Sequence, residues 1–182
     1  MATDFVITRY EKLFDAAVVD GAGTIEWKDY EDLADRILTA YRVRSDDMRA
    51  KALRDAYRLF WTGLTLRDED AGVRLSRLQF VRAMGTLAAG AVTAPMLEAL
   101  HDALFDLADV NGDGELDKDE FISFVKATTG TSEARALNAF TRLTAESAGP
   151  VDRERLIRSF REFLTSDEAS EAAAGGAALG AL

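Results

Sequence analysis

The chain has 182 residues, and among them there is no cysteine, one histidine, two prolines and four methionines. Without thiols there are no disulfide cross-links, thiolate metal centres or cysteine nucleophiles, which fits a reducing cytoplasm. With so few prolines, little interrupts a helix. No apolar run approaches the roughly 20 residues needed to cross a bilayer. The N-terminal stretch carries Asp4 and Glu11 and lacks the basic start and apolar core of a secretory signal. A soluble, cytoplasmic protein with no membrane partner is the expectation. Positive charge is also in short supply: 22 Lys and Arg stand against 32 Asp and Glu, for a net charge of −10. Arginines such as Arg42, Arg44, Arg49 and Arg54 are interspersed with acids rather than gathered into a patch, so nucleic acid is an unfavourable partner. His101 lies at helical spacing from Leu97 and Leu104, which marks it as a core or helix-flank side chain rather than a general base. The sequence carries no Gly-rich phosphate loop and no serine-nucleophile motif, and an enzyme is not expected.

What the sequence has is helical periodicity. Apolar residues recur at three and four positions in Tyr10, Leu13, Phe14 and Ala17, and again in Tyr30, Leu33, Ile37, Leu38 and Tyr41. The pattern returns in Leu53, Tyr57, Phe60, Trp61 and Leu64, in Phe80, Met84, Leu87 and Ala88, and in Leu97, Leu100, Leu104 and Phe105. Phe121, Phe124 and Val125 follow, then Leu137, Phe140 and Leu143, and last Leu156, Phe160, Phe163 and Leu164. This makes eight helices in an all-α fold. Ser76 with Gln79, and Asp117 with Glu120, have the spacing of capping boxes that open helices. Pro95 suits a first helical turn, and Ser132 before Glu133 marks another helix start.

Between the fifth and sixth helices lies Asp109-Val110-Asn111-Gly112-Asp113-Gly114-Glu115-Leu116-Asp117-Lys118-Asp119-Glu120. A calcium ion takes six to eight hard oxygen ligands, and a twelve-residue loop of this composition can wrap them around one point. Asp109, Asn111 and Asp113 place side-chain oxygens at positions 1, 3 and 5, and Glu115 offers its carbonyl at position 7. Asp117 at position 9 acts through a water, and Glu120 at position 12 closes the site with both carboxylate oxygens. Gly114 at position 6 supplies the freedom that the sharp turn needs. The expected ligand is Ca2+, with Mg2+ as competitor, and four acids around the ion suit a dissociation constant of about 10⁻⁷ to 10⁻⁵ M.

Eight helices make four helix–loop–helix units, and three further loops align in the same register at 18–29, 68–79 and 144–155. The four loop starts are separated by 50, 41 and 35 residues, as decayed copies of one unit would be. The first loop keeps Gly23 at position 6, but Val18 and Ala22 remove two ligands. The second has Val73 at the turn and neutral Gln79 at the closing position. The fourth sets the cation Arg155 where the closing acid belongs, which repels a divalent ion. These loops have a structural use, since a lone unit cannot bury its apolar face. Ile25 is expected to pair with Leu75, and Leu116 with Val151. An N-terminal pair (1–90), a C-terminal pair (91–165) and a disordered Ala/Gly-rich tail (166–182) complete the predicted organisation, packed as one compact globule.

The four-loop register resembles calerythrin and the sarcoplasmic calcium-binding proteins over about residues 5 to 165. Its specificity rests mainly on Asp109 through Glu120; the other loops share turn glycines, position-8 apolar residues and the aromatics that follow. The resemblance implies a protein that buffers or transports calcium in the cytosol, with two EF-hand pairs packed into one globule; the Ala, Arg and Asp bias suits a bacterial high-GC genome, and a monomer is the expectation. One complete loop in 19.9 kDa makes a sparse buffer. A sensor that regulates a protein partner is the alternative, although sensor grooves are rich in methionine and this chain is not. A structural ion that holds the C-terminal pair folded is a third reading.

Overall fold

The computed structural model describes residues 4–18, 23–65, 74–90, 94–145 and 149–165. Within these the chain forms eight helices: α1 (Asp4–Ala17), α2 (Trp27–Ala40), α3 (Met48–Thr65), α4 (Arg77–Ala89), α5 (Ala94–Ala108), α6 (Lys118–Thr129), α7 (Glu133–Leu143) and α8 (Arg153–Thr165). Each loop between the members of a helix pair holds a short strand: β1 (Thr24–Glu26), β2 (Arg74–Ser76), β3 (Glu115–Leu116) and β4 (Val151–Asp152). β1 pairs antiparallel with β2 and sets Ile25 opposite Leu75, and β3 pairs with β4 and sets Leu116 opposite Val151. Both apolar pairings are the ones expected from position 8 of the loops, and all four side chains are fully buried. The 166–182 tail, to which the sequence assigns disorder, lies outside the described residues.

Helix starts follow local chemistry. Ser76 and Gln79 close a reciprocal capping box at the head of α4, and Asp117 and Glu120 do the same for α6. Pro95 lies in the first turn of α5, where its missing N–H costs nothing. α6 stops at Gly130, whose φ of 65° is the left-handed conformation that glycine adopts freely.

The apolar faces meet in one continuous core that draws on all eight helices. Tyr30, Tyr57 and Phe60 stack within the first half, with ring centroids 5.6–5.7 Å apart. α3 lies along α5, so the first half is joined to the second through their most extensive helix contact, and Gly63 there lets Met96 approach its backbone closely. α1 and α8 close the globule: the Tyr10 hydroxyl donates to the Leu164 carbonyl at 2.8 Å, and Arg9 donates to Phe163 O at 2.8 Å. Arg153 joins α8 to α5 through Asp102 and Asp106 while its guanidinium lies 4.4 Å from the Phe105 ring centre.

One predicted face is turned. Leu137 is 41% exposed, and α7 instead buries Ala136, Ala139 and Leu143. α7 packs chiefly on α6, with the Phe140 ring centre 5.5 Å from that of Phe121. The buried stripe shares Leu143 with the one that the largest side chains suggest but is turned from it by about two thirds of a residue step.

Candidate metal centre

The loop 109–120 is built by hydrogen bonds from side-chain oxygens to its own amides. α5 ends at Ala108, and the Asp109 N–H still donates to Phe105 O at 2.8 Å. From there Asp109 acts as the hub: Oδ1 accepts from the amides of Gly112 (2.7 Å) and Asp113 (3.2 Å), and Oδ2 from Gly114 (2.9 Å). Asn111 Oδ1 accepts from the Asp113 amide at 2.9 Å, and Asp113 Oδ1 from the Glu115 amide at 3.0 Å. Short polar side chains that bond their own backbone two residues on are what turn a chain this tightly. Gly112 and Gly114 have φ of 74° and 84°, a region in which a Cβ is strained.

The closing residue joins the two ends. Glu120 Oε2 accepts from the Asp117 amide at 3.1 Å, while Oε1 reaches back to the amides of Val110 (3.0 Å) and Asn111 (3.3 Å). Asp117 Oδ1 in turn caps α6 through the amides of Asp119 and Glu120, at 2.8 and 2.9 Å. The structure thus links the side chains of Asp109, Asn111, Asp113, Asp117 and Glu120 through one amide network, with Glu115 in β3 below it. Among the described residues no three Asp, Glu or His side chains are already drawn into a cage. Their oxygens point to amide N–H groups, so holding a cation requires some of these bonds to be exchanged. The donor set suits a hard cation: every candidate ligand atom is oxygen, and no thiolate or imidazole lies in the loop.

The position that closes the loop is also the third residue of the helix that follows, and this explains what the other loops retain. Asp29 accepts from the Glu26 amide at 2.7 Å and Gln79 from the Ser76 amide at 2.9 Å, so both keep the helix-capping task. Arg155 has no acceptor to offer; its amide donates to Asp152 Oδ1 at 2.7 Å, and Asp152 caps α8 in its place. Residues 19–22, 68–73 and 146–148 of these three loops lie outside the described residues.

Two features were not read from the sequence. His101 is a core side chain, as its spacing suggests, but its ring packs on Phe160 at 4.2 Å and its pKa is pushed down to about 4, chiefly by burial. Tyr41, at the end of α2, shares a cleft of ≈ 480 Å³ with Val110, Asn111, Asp117 and Glu120. Burial, with the charge of Glu120 second, raises its phenol above the usual tyrosine range. Helical spacing places Tyr41 on a buried face but carries no information on a loop that begins 68 residues further on.

Residues 100–125 match the family model for the EF hand. Calerythrin of Saccharopolyspora erythraea is 26% identical over 174 residues, which cover 90% of this chain and 94% of that protein. A Streptomyces coelicolor calcium-binding protein, solved as a basis for prokaryotic calcium-mediated regulation, superposes with a TM-score of 0.73 at 23% identity, over 94% of this chain and 98% of its own. Calcium-loaded apo-aequorin from Aequorea victoria superposes with a TM-score of 0.76 at 21% identity, over 92% and 95% of the two chains. At these identities the two solved structures speak to the fold.

Proposed function

We propose that this chain, an EF-hand protein related to calerythrin, is a cytosolic calcium buffer that takes one ion through loop 109–120. Asp109, Asn111 and Asp113 supply side-chain oxygens, Glu115 its carbonyl, Asp117 an oxygen through water, and Glu120 a bidentate carboxylate. The observation that supports the reading is the amide network: Asp109, Asn111, Asp113, Asp117 and Glu120 all accept from the loop's own amides, and two left-handed glycines turn the chain between them. Calcium supplies the charge that the clustered carboxylates lack, and the chain supplies oxygen ligands and a preformed turn. Mg2+ competes by charge but does not need bidentate closure by Glu120.

A buffer does not have to expose a groove when it binds, and the core supports that role. Of the methionines, Met84 is buried, Met96 half-buried and Met48 exposed on the first turn of another helix, so the described residues form no methionine-lined groove. Aromatic rings fill the helix interfaces instead, a packing that resists opening. The test is fluorescence of a hydrophobic dye on the full chain, with calcium and with chelator. A buffer leaves the signal unchanged; a calcium-dependent rise would transfer the protein to the sensor class, with a protein partner to be sought.

A further inference from the structure

The α2–α3 turn brings a residue of the first half of the chain against the closing side of the calcium loop. α2 ends with the Val43 amide bonded to Leu38 O (2.9 Å) and the Arg42 amide bonded to Thr39 O (3.1 Å). This pair of bonds is a Schellman closure, and Arg42 at φ 54° fills the left-handed position that glycine usually takes. The closure fixes the backbone of Tyr41, which bonds Ile37 O at 3.1 Å, and Tyr41 lines a cleft that Glu120 lines as well. There the Tyr41 hydroxyl is buried and finds no hydrogen-bond partner among the described residues. A buried hydroxyl without a partner is unfavourable, so one on a residue that lines the same cleft as the loop-closing carboxylate calls for an explanation. Glu120 is that carboxylate, and both of its oxygens are held by amides that it must partly release to close on an ion.

We infer that Tyr41 is a positioning residue for Glu120: its hydroxyl supplies the outer hydrogen bond that the carboxylate takes when it leaves the amides of Val110 and Asn111 for the ion. Carboxylates that ligate metals are themselves held by hydrogen bonds, and losing such a partner typically costs 10- to 100-fold in metal affinity. The inference rests on loop 109–120 being the calcium site. It makes the affinity of that loop depend on a side chain from the first half of the chain, about 80 residues away in sequence.

The test is calcium calorimetry on the full chain for four proteins: native, Tyr41→Phe, Tyr57→Phe and Glu120→Gln. Tyr57 is the control, because its hydroxyl is likewise buried and unpartnered but packs against Tyr30 within the first half. Tyr41→Phe is expected to bind calcium about tenfold more weakly. In chelator it should melt at the same temperature as the native chain or a higher one, since the ring remains and an unpartnered hydroxyl is gone. Tyr57→Phe should bind within twofold of native. A tyrosine difference band on calcium addition, present in the native chain and in Tyr57→Phe, should be missing from Tyr41→Phe. Tyr41→Phe binding within twofold of native, while Glu120→Gln binds poorly, would overturn the role of Tyr41 and leave the site in place. Equal losses in Tyr41→Phe and Tyr57→Phe would also overturn it, as a general effect of core hydroxyls. Native-like binding by Glu120→Gln would instead remove the site assignment itself.

Discussion

At the scale of single residues, a few side chains hold the account. Glu120 both caps α6 and closes the loop, and replacing it with Gln keeps the shape while removing the charge. Glu120→Gln is expected to weaken calcium binding by at least tenfold, about 1.4 kcal/mol or more, as read by calorimetry. His101 gives a pH prediction. Its folded pKa is about 4, against 6.5 for an ordinary histidine, because burial disfavours the charged ring; the Leu97 carbonyl and Asp102 offset part of this, and Arg161 adds to it. The unfolded chain therefore binds the proton first as pH falls. The stabilisation due to the neutral ring is fully present above pH 6.5 and drains away between 6.5 and 4, by about 3 kcal/mol. Denaturant unfolding of His101→Leu should lose that much less stability than the native chain over the same range, and parallel curves would contradict it. Arg42 is the residue that sequence reading passes over, because a positive φ is announced by glycine and not by arginine. Arg42→Gly should raise stability by about 1 kcal/mol in the same measurement.

At the scale of elements, the helices were legible because their faces repeat at three and four residues and their starts carry capping chemistry. The strand partners were legible too: Ile25 with Leu75 and Leu116 with Val151 follow from aligning four loops on the aromatic or leucine after position 12. What could not be read was how helices turn toward one another. α7 buries Ala136 and Ala139 and leaves Leu137 exposed, with α6 as its main neighbour. The α1–α8 closure was equally hidden, since it depends on Tyr10 meeting a carbonyl 154 residues away. Tyr10→Phe removes that buried hydroxyl and leaves the Leu164 carbonyl short of a donor. It should cost about 1 kcal/mol in denaturant unfolding; no loss would show that the contact contributes nothing to closing the globule.

At the scale of the whole molecule, the two loop pairs share one core, joined by α3 on α5, so an ion bound in one loop stabilises everything that unfolds with it. A ligand at 100 times its dissociation constant adds about 2.7 kcal/mol to the native state. For a chain of this length that raises the melting temperature by roughly 5–10 °C. A scan in saturating calcium against chelator should show one transition moved by that amount. The turn at Gly114 and the capping box of Asp117 with Glu120 were legible in the sequence, because residue type and spacing are local. Tyr41 was not, because its place beside Glu120 exists only once α2 and α6 have packed. The central claim is a single ion held by Asp109 through Glu120. Calcium calorimetry on the metal-free chain tests it most directly: one ion per chain in the native protein, and strongly weakened binding in Glu120→Gln, is the predicted result. Two or more ions per chain, or one that survives the loss of the Glu120 charge, would contradict it.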